Sequence, residues 1–259
     1  MKLKQLYWNY KKFRTKQRIK KGEKSIGETM PLRYYLERKR GSRDLIVVYS
    51  AFPEPDKPAA YNYVTTLSKI KANKLFLLDE YGSGGKGCYY LGKDGGREVE
   101  KNVFVLLEKV KKELSVTRTI HVGSSKGGWS ALYFGLSYEK DQIVLGGAQF
   151  RLGDYTMERM PALFAYLTGT KDDEIEKEKL NRILPDRIDG ATPRNVYLHY
   201  SDSEHTYEDS MLPMKTHLLE RGFPLWEDVA HYTEHGKVGL YFAELLPSLL
   251  RKILSEGIE

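Results

Sequence analysis

Thr119-Ile120-His121-Val122-Gly123-Ser124-Ser125-Lys126-Gly127-Gly128-Trp129 is the stretch that decides the fold. Its first residues are largely β-branched and apolar, the make-up of a short buried strand. Trp129, Leu132, Tyr133 and Leu136 then recur at helical spacing. Between the two lies Gly-Ser-Ser-Lys-Gly, a G-x-S-x-G pentapeptide set between a strand and a helix, the context this motif requires. Glycine at 123 and 127 lets neighbouring backbone approach a tight turn, and Gly128 lets the helix start pack closely. Ser125 then stands at a helix N-terminus, where peptide dipoles favour developing negative charge. Ser124 is the competing serine, but the spacing selects Ser125. The plainer alternative is that Ser125 only caps a helix in a doubly wound sheet.

On either side of it, Leu45–Tyr49, Lys74–Leu78, Ile143–Ala148, Val196–Tyr200 and Leu225–Ala230 read as further strands. Residues 25–40 read as an early antiparallel hairpin. Val99, Val103, Leu106, Val110 and Leu114 mark an amphipathic helix, and helices are also expected over Tyr61–Ile70, Ser210–Glu220 and Lys237–Leu254. Strands alternating with helices imply a mostly parallel central sheet covered on both faces. Residues 150–194 break the rhythm and are expected to form a helical cap over the C-terminal edge of the sheet. The expectation is an α/β protein of the α/β-hydrolase fold, with residues 1–24 a basic segment and 25–259 the domain.

A serine hydroxyl needs a base to take its proton, and in this fold the order along the chain is Ser, acid, His. His235 follows the last strand and is the expected base, with His231 its rival. His121, His199 and His217 lie in strands or a helix and are read as structural. The acid should follow the Val196–Tyr200 strand, in Ser201-Asp202-Ser203-Glu204-His205. A small residue, Ser201, followed three positions later by an acid favours Glu204, with Asp202 the alternative, and His205 is placed near substrate. The backbone N–H of Lys126 is the expected first oxyanion donor, with Ala51 or Phe52 supplying the second from the loop after Leu45–Tyr49.

Gly82-Ser83-Gly84-Gly85-Lys86-Gly87 matches G-x-G-x-x-G, but a dinucleotide site needs a helix to open there. Cys88-Tyr89-Tyr90-Leu91 follows instead. A flexible loop beside Ser125 is expected, with Lys86, Tyr89 and Tyr90 reaching a substrate such as a sugar. No cofactor and no metal is called for.

The 259 residues suit one α/β domain. Net charge is +7, but residues 1–24 hold ten Lys/Arg and a single acid, leaving 32 basic and 34 acidic residues elsewhere. A near-neutral body argues against nucleic-acid binding. The basic segment is a solvated lead-in, or a dock for an anionic membrane or for secretion or polysaccharide machinery. With one cysteine and no signal-peptide or membrane-spanning run, a cytoplasmic protein, peripheral to the membrane at most, is expected.

Asp79-Glu80-Tyr81-Gly82, Gly87-Cys88-Tyr89-Tyr90-Leu91-Gly92, Gly123-Ser124-Ser125-Lys126-Gly127-Gly128 and Asp202-Ser203-Glu204-His205-Thr206-Tyr207-Glu208-Asp209 together resemble the accessory Sec-system O-acetyltransferases and related capsular-polysaccharide biosynthesis proteins of Gram-positive bacteria. The resemblance spans roughly residues 40–255. It implies a Ser-Glu-His triad on Ser125, Glu204 and His235, and so prefers Glu204 to Asp202. The resulting expectation is a serine-dependent enzyme acting on a small-molecule or glycan ester, either a carbohydrate O-acetyltransferase or an acetyl esterase. The alternative is a non-catalytic partner in a polysaccharide or secretion complex that uses the same fold as a scaffold.

Overall fold

The structure is a computed structural model that describes residues 2–256, with side chains from Tyr10 onward. The outer limits of the expected boundaries, Met1 and positions 257–259, lie outside the described residues, as do the side chains of Lys2 and Lys4.

Eight strands form one sheet: β1 (Glu23–Ile26), β2 (Leu32–Glu37), β3 (Asp44–Tyr49), β4 (Asn73–Leu78), β5 (Arg118–Ser124), β6 (Gln142–Gly146), β7 (Val196–Ser201) and β8 (Leu225–Ala230). Their order across the sheet is β1-β2-β4-β3-β5-β6-β7-β8. β1 and β2 pair antiparallel, as do β2 and β4, and every other pairing is parallel. The chain leaves β3 toward one edge and leaves β5 toward the other. Loops after these two neighbours therefore diverge, opening a crevice at the C-terminal ends of the central strands, where ligands bind in open α/β sheets.

The period of two along β3 explains the layers. Leu45, Val47 and Tyr49 face a core shared with α2 (Glu98–Glu113) and α3 (Lys126–Gly135), while Ile46 and Val48 face α8 (Val238–Ser255). α2 buries Val99, Val103, Leu106, Leu107 and Val110, and α8 buries Phe242, Leu246, Leu249, Leu250 and Ile253. Both sheet faces are thus dry, which is why the central strands read as continuous apolar runs.

The helix expected over Tyr61–Ile70 is revised, and the basic segment and the insertion gain detail. The basic segment is a helix, α1 (Lys2–Gly22), which joins the body through Ile19 and an Arg18–Glu37 ion pair of 2.6 Å. The helix expected over Tyr61–Ile70 shrinks to a 3-10 turn at Thr66–Lys69, because Tyr63 takes a left-handed φ of 59°. Residues 150–194 hold α4 (Leu152–Arg159), α5 (Pro161–Thr168) and α6 (Glu174–Asp189). α5 lies against the glycine loop, with Leu163 near Gly82, but α6 buries Leu180, Leu184 and Ile188 in the core shared with α3. α7 (Leu212–Glu220) precedes β8, and no described helix is long and apolar enough to cross a membrane.

Candidate active site

Ser125 joins β5 to α3 at φ 50°, ψ −124°, a conformation that non-glycine residues rarely adopt. Backbone bonds hold it there. Its N–H donates to the Gly146 carbonyl at 2.7 Å, and its own carbonyl accepts from Gly128 and Trp129 at 2.8 and 3.0 Å. The flanking glycines are required sterically: a Cβ at Gly123 would lie 2.0 Å from the Gly127 carbonyl oxygen, and one at Gly127 would lie 2.5 Å from that of Tyr49.

His235 lies in the turn between β8 and α8, and its Nε2 is 2.8 Å from Ser125 Oγ. Its Nδ1 is 2.7 Å from Glu204 Oε2. The Glu204 side chain is wholly buried, and its other oxygen accepts from Thr206 Oγ1 at 2.9 Å. A buried carboxylate on Nδ1 places the ring proton there and leaves Nε2 as an acceptor for the serine hydroxyl. The two rivals pair with each other. His231 Nδ1 is 2.8 Å from Asp202 Oδ1, and both side chains are exposed. His121, His199 and His217 bond Asp141, Asp228 and Asp189 respectively.

The expected oxyanion donors differ in their hydrogen bonds. Lys126 N–H opens α3 and meets no acceptor among the described residues. Ala51, one of the two expected second donors, is already engaged: its N–H donates to Asn62 Oδ1 at 2.9 Å. The N–H of the next residue, Phe52, makes no hydrogen bond to any described residue. The following Tyr63 hydroxyl contacts Ser124 Oγ at 2.5 Å, so one short segment braces both the β3 loop and the serine turn.

Of the residues placed near substrate, His205 is exposed at the rim, its ring centroid 6.0 Å from that of His235. Partial burial, with Arg159 and His235 nearby, pushes its pKa down. Lys86 is half-buried on the glycine loop. Tyr89 and Tyr90 must be corrected, because both are fully buried and present nothing to a solvent-borne ligand. Tyr90 donates to the Leu77 carbonyl at 3.0 Å and accepts from Ser50 N–H at 2.8 Å. Tyr89 packs edge-on to Trp129 and Phe52. Two tyrosines in succession at positive φ turn both rings inward, which alternation along a strand would not do.

Three features carried no sequence signal strong enough to find. Lys126, considered only for its N–H, buries its whole side chain and donates from Nζ to Asp79 Oδ2 at 2.8 Å. Asp79 also accepts from the N–H groups of Cys88 and Tyr90 at 2.8 and 3.1 Å. Gly87 has no room for a side chain there, since a Cβ would lie 2.6 Å from Lys126 Nζ. The glycine loop is thereby fastened beneath the site, and the next helix, α2, starts only at Glu98. The other two are Gln149, whose Nε2 lies 3.3 Å from Ser125 Oγ, and the Asn62-Tyr63 pair. Gln149 follows the C-terminal end of β6, beside the strand that carries Ser125, and that position is the one clue the sequence offered.

No protein-family model matches the chain, and no curated protein matches it. Among solved structures, the capsule O-acetyltransferase of Neisseria meningitidis serogroup A superposes with a TM-score of 0.74 at 21% identity, over 88% of this chain and 94% of that one. A variant of that enzyme is known in complex with CoA. A chain of the glycosylation-associated Gap123 complex of Streptococcus agalactiae gives 0.76 at 17% identity, over 91% of this chain and 47% of that one. The fluorophosphonate-binding serine hydrolase FphF of Staphylococcus aureus gives 0.61 at 11% identity, over 88% and 98%. At these identities the likeness is one of fold, and the fold is that of the α/β-hydrolases.

Proposed function

We propose that the protein is a serine-dependent acyl-ester enzyme working through an acyl-enzyme, with Ser125 as nucleophile, His235 as general base and acid, and Glu204 as the group that orients His235. The observation that carries this reading is the unbroken chain Glu204 Oε2, His235 Nδ1, His235 Nε2, Ser125 Oγ, with contacts of 2.7 and 2.8 Å. Ser125 Oγ attacks the acyl carbonyl as its proton passes to His235 Nε2. The carbonyl oxygen becomes an oxyanion facing the N–H groups of Lys126 and Phe52. Collapse returns the proton from His235 to the departing oxygen or sulfur and leaves the acyl group on Ser125. A sugar hydroxyl or water then attacks, again giving its proton to His235.

The acyl group proposed is acetyl and the acceptor a glycan hydroxyl, in keeping with the capsule O-acetyltransferase among the structural neighbours. Because a variant of that neighbour binds CoA, a CoA thioester is the donor to try first. The test is acetyl release from acetyl-CoA and from an aryl acetate, with and without sugar acceptors. Ser125→Ala should lower turnover by at least ~10³-fold. Equal turnover in a folded Ser125→Ala protein would sink the assignment.

The second reading, a non-catalytic partner protein, is favoured by the Gap123 neighbour and by helix α1. It predicts no turnover of acyl esters by the full chain, and that removing residues 1–22 abolishes association with a glycosylation or polysaccharide complex, or with an anionic membrane, while the fold stays intact. Unchanged association after the deletion would dismiss it.

A further inference from the structure

We infer that Gln149 is a catalytic residue whose side-chain amide donates to Ser125 Oγ, strengthening as that oxygen takes on charge, and that Tyr89 is the positioning residue that aims it. This rests on the proposed role of Ser125 as nucleophile. Gln149 is completely buried, and its Nε2 lies 3.3 Å from Ser125 Oγ. Tyr89, also completely buried, donates its hydroxyl to Gln149 Oε1 at 3.2 Å.

The amide can face only one way. The Ser125 proton goes to His235 Nε2, so Oγ has only lone pairs left for Gln149, and a lone pair needs an N–H. Turning the amide over would set two oxygens against each other. The Tyr89 hydroxyl at the far end completes the arrangement, because Oε1 requires a donor and the phenol is one. Burial pushes the Tyr89 pKa well up, so the proton stays on.

At 3.3 Å the contact is at the long end for a neutral hydrogen bond, as expected before substrate arrives. As His235 removes the proton, Oγ acquires negative charge, and a bond to a charged acceptor is shorter and about twice as strong. The same holds when the acyl-enzyme breaks down, as Oγ gains charge while its bond to the acyl carbon breaks and His235 returns the proton to it. No proton leaves the amide in either step. The contribution therefore falls on acylation and deacylation alike and leaves ground-state binding largely untouched.

The experiment measures the rate of covalent labelling by a fluorophosphonate, together with kcat and KM for an aryl acetate, in the full chain. Gln149→Leu should label and turn over on the order of 10- to 100-fold more slowly with little change in KM. Gln149→Glu should lose more at neutral pH, where a carboxylate faces the developing charge, and its deficit relative to wild type at the same pH should shrink as the pH is lowered. Gln149 acting only as packing would leave the apolar, similarly sized Gln149→Leu at the wild-type labelling rate. Tyr89→Phe keeps Gln149 in place and frees its orientation, so a smaller loss, several-fold in kcat, is expected. It also serves as the readout if Gln149→Leu fails to fold. Rates within twofold of wild type in folded Gln149→Leu, or in Tyr89→Phe where that variant is the readout, would overturn the role of Gln149. Absence of labelling in folded wild type, or a label mapped to a residue other than Ser125, would instead overturn the nucleophile assignment and this inference with it.

Discussion

A serine at φ 50°, ψ −124° stores strain on the order of 1–3 kcal/mol, and it persists because its backbone N–H and C=O are both bonded and Gly123 and Gly127, two positions to either side, carry no side chains. Gly127→Ala tests the steric half of that statement. Its Cβ would meet the Tyr49 carbonyl oxygen, backbone that cannot swing away, so a loss of at least about 2 kcal/mol in urea unfolding is expected. A variant as stable as wild type would mean that the turn relaxes freely. The choice of acid is also a single-residue question. Glu204→Gln keeps the shape but removes the charge and the preference for a proton on His235 Nδ1, and kcat should fall by ~10²- to 10⁴-fold. Asp202→Asn touches an exposed pair with His231 and should leave kcat within about twofold. The reverse ranking in the same esterase assay would transfer the role to Asp202. At this scale the serine was legible because its motif is local. Gln149, Asn62 and Tyr63 were not, because each meets the site only after residues far apart in the chain have come together.

Elements read by period came through, and those shaped by local bonds did not. α2 announced itself because its buried residues recur every three or four positions, and β3 to β7 because both of their faces are covered. The expected helix over Tyr61–Ile70 had suitable spacing too, but Asn62 and Tyr63 are recruited to brace Ala51 and Ser124, and the positive φ at Tyr63 ends any helix through it. Tyr89 and Tyr90 misled for a related reason: their chemistry suited a rim, and backbone conformation sent them into the core. The same loop carries an element-scale prediction. Asp79 on the loop after β4 and Lys126 at the start of α3 form an ion pair with both side chains fully buried, and removing one partner strands the other's charge. Lys126→Met should cost about 3–5 kcal/mol, measured by urea denaturation. The double variant Asp79→Asn, Lys126→Met should recover much of that loss. A single variant no less stable than the double one would show that Asp79 finds another partner or takes up a proton.

The whole molecule should lose stability on the acid side through a buried cluster away from the site. His121, fully buried on β5, lies 2.9 Å from Asp141 by Nε2 and 2.9 Å from the Tyr49 hydroxyl by Nδ1. Burial pushes its pKa below the usual histidine value, outweighing the attraction of Asp141 for a cation. A neutral ring fits both contacts, since Nε2–H donates to Asp141 and Nδ1 accepts from Tyr49, whose own pKa burial drives well up. Burial alone would raise the Asp141 pKa, but the hydrogen bond from His121 and the Lys111 ammonium at 2.7 Å bring it below the usual carboxylate range. Both shifts act in one direction. The unfolded chain takes a proton on His121 below about pH 6.5 while the folded protein does not, so stability is full above that pH and falls as pH drops below it. Asp141 adds a second loss as pH falls through and below its unfolded value near 3.8. The slope from one such histidine approaches about 1.4 kcal/mol per pH unit until the folded ring also protonates. Thermal melts from pH 8 to pH 5 should therefore show Tm level above about pH 7 and declining below about 6.5. His121→Gln should melt lower at pH 7.5 but decline less steeply between pH 6.5 and 5. Parallel Tm profiles for wild type and variant across that window would mean that His121 is already charged in the folded protein, and that Asp141 rather than the apolar core around Tyr49 governs its proton.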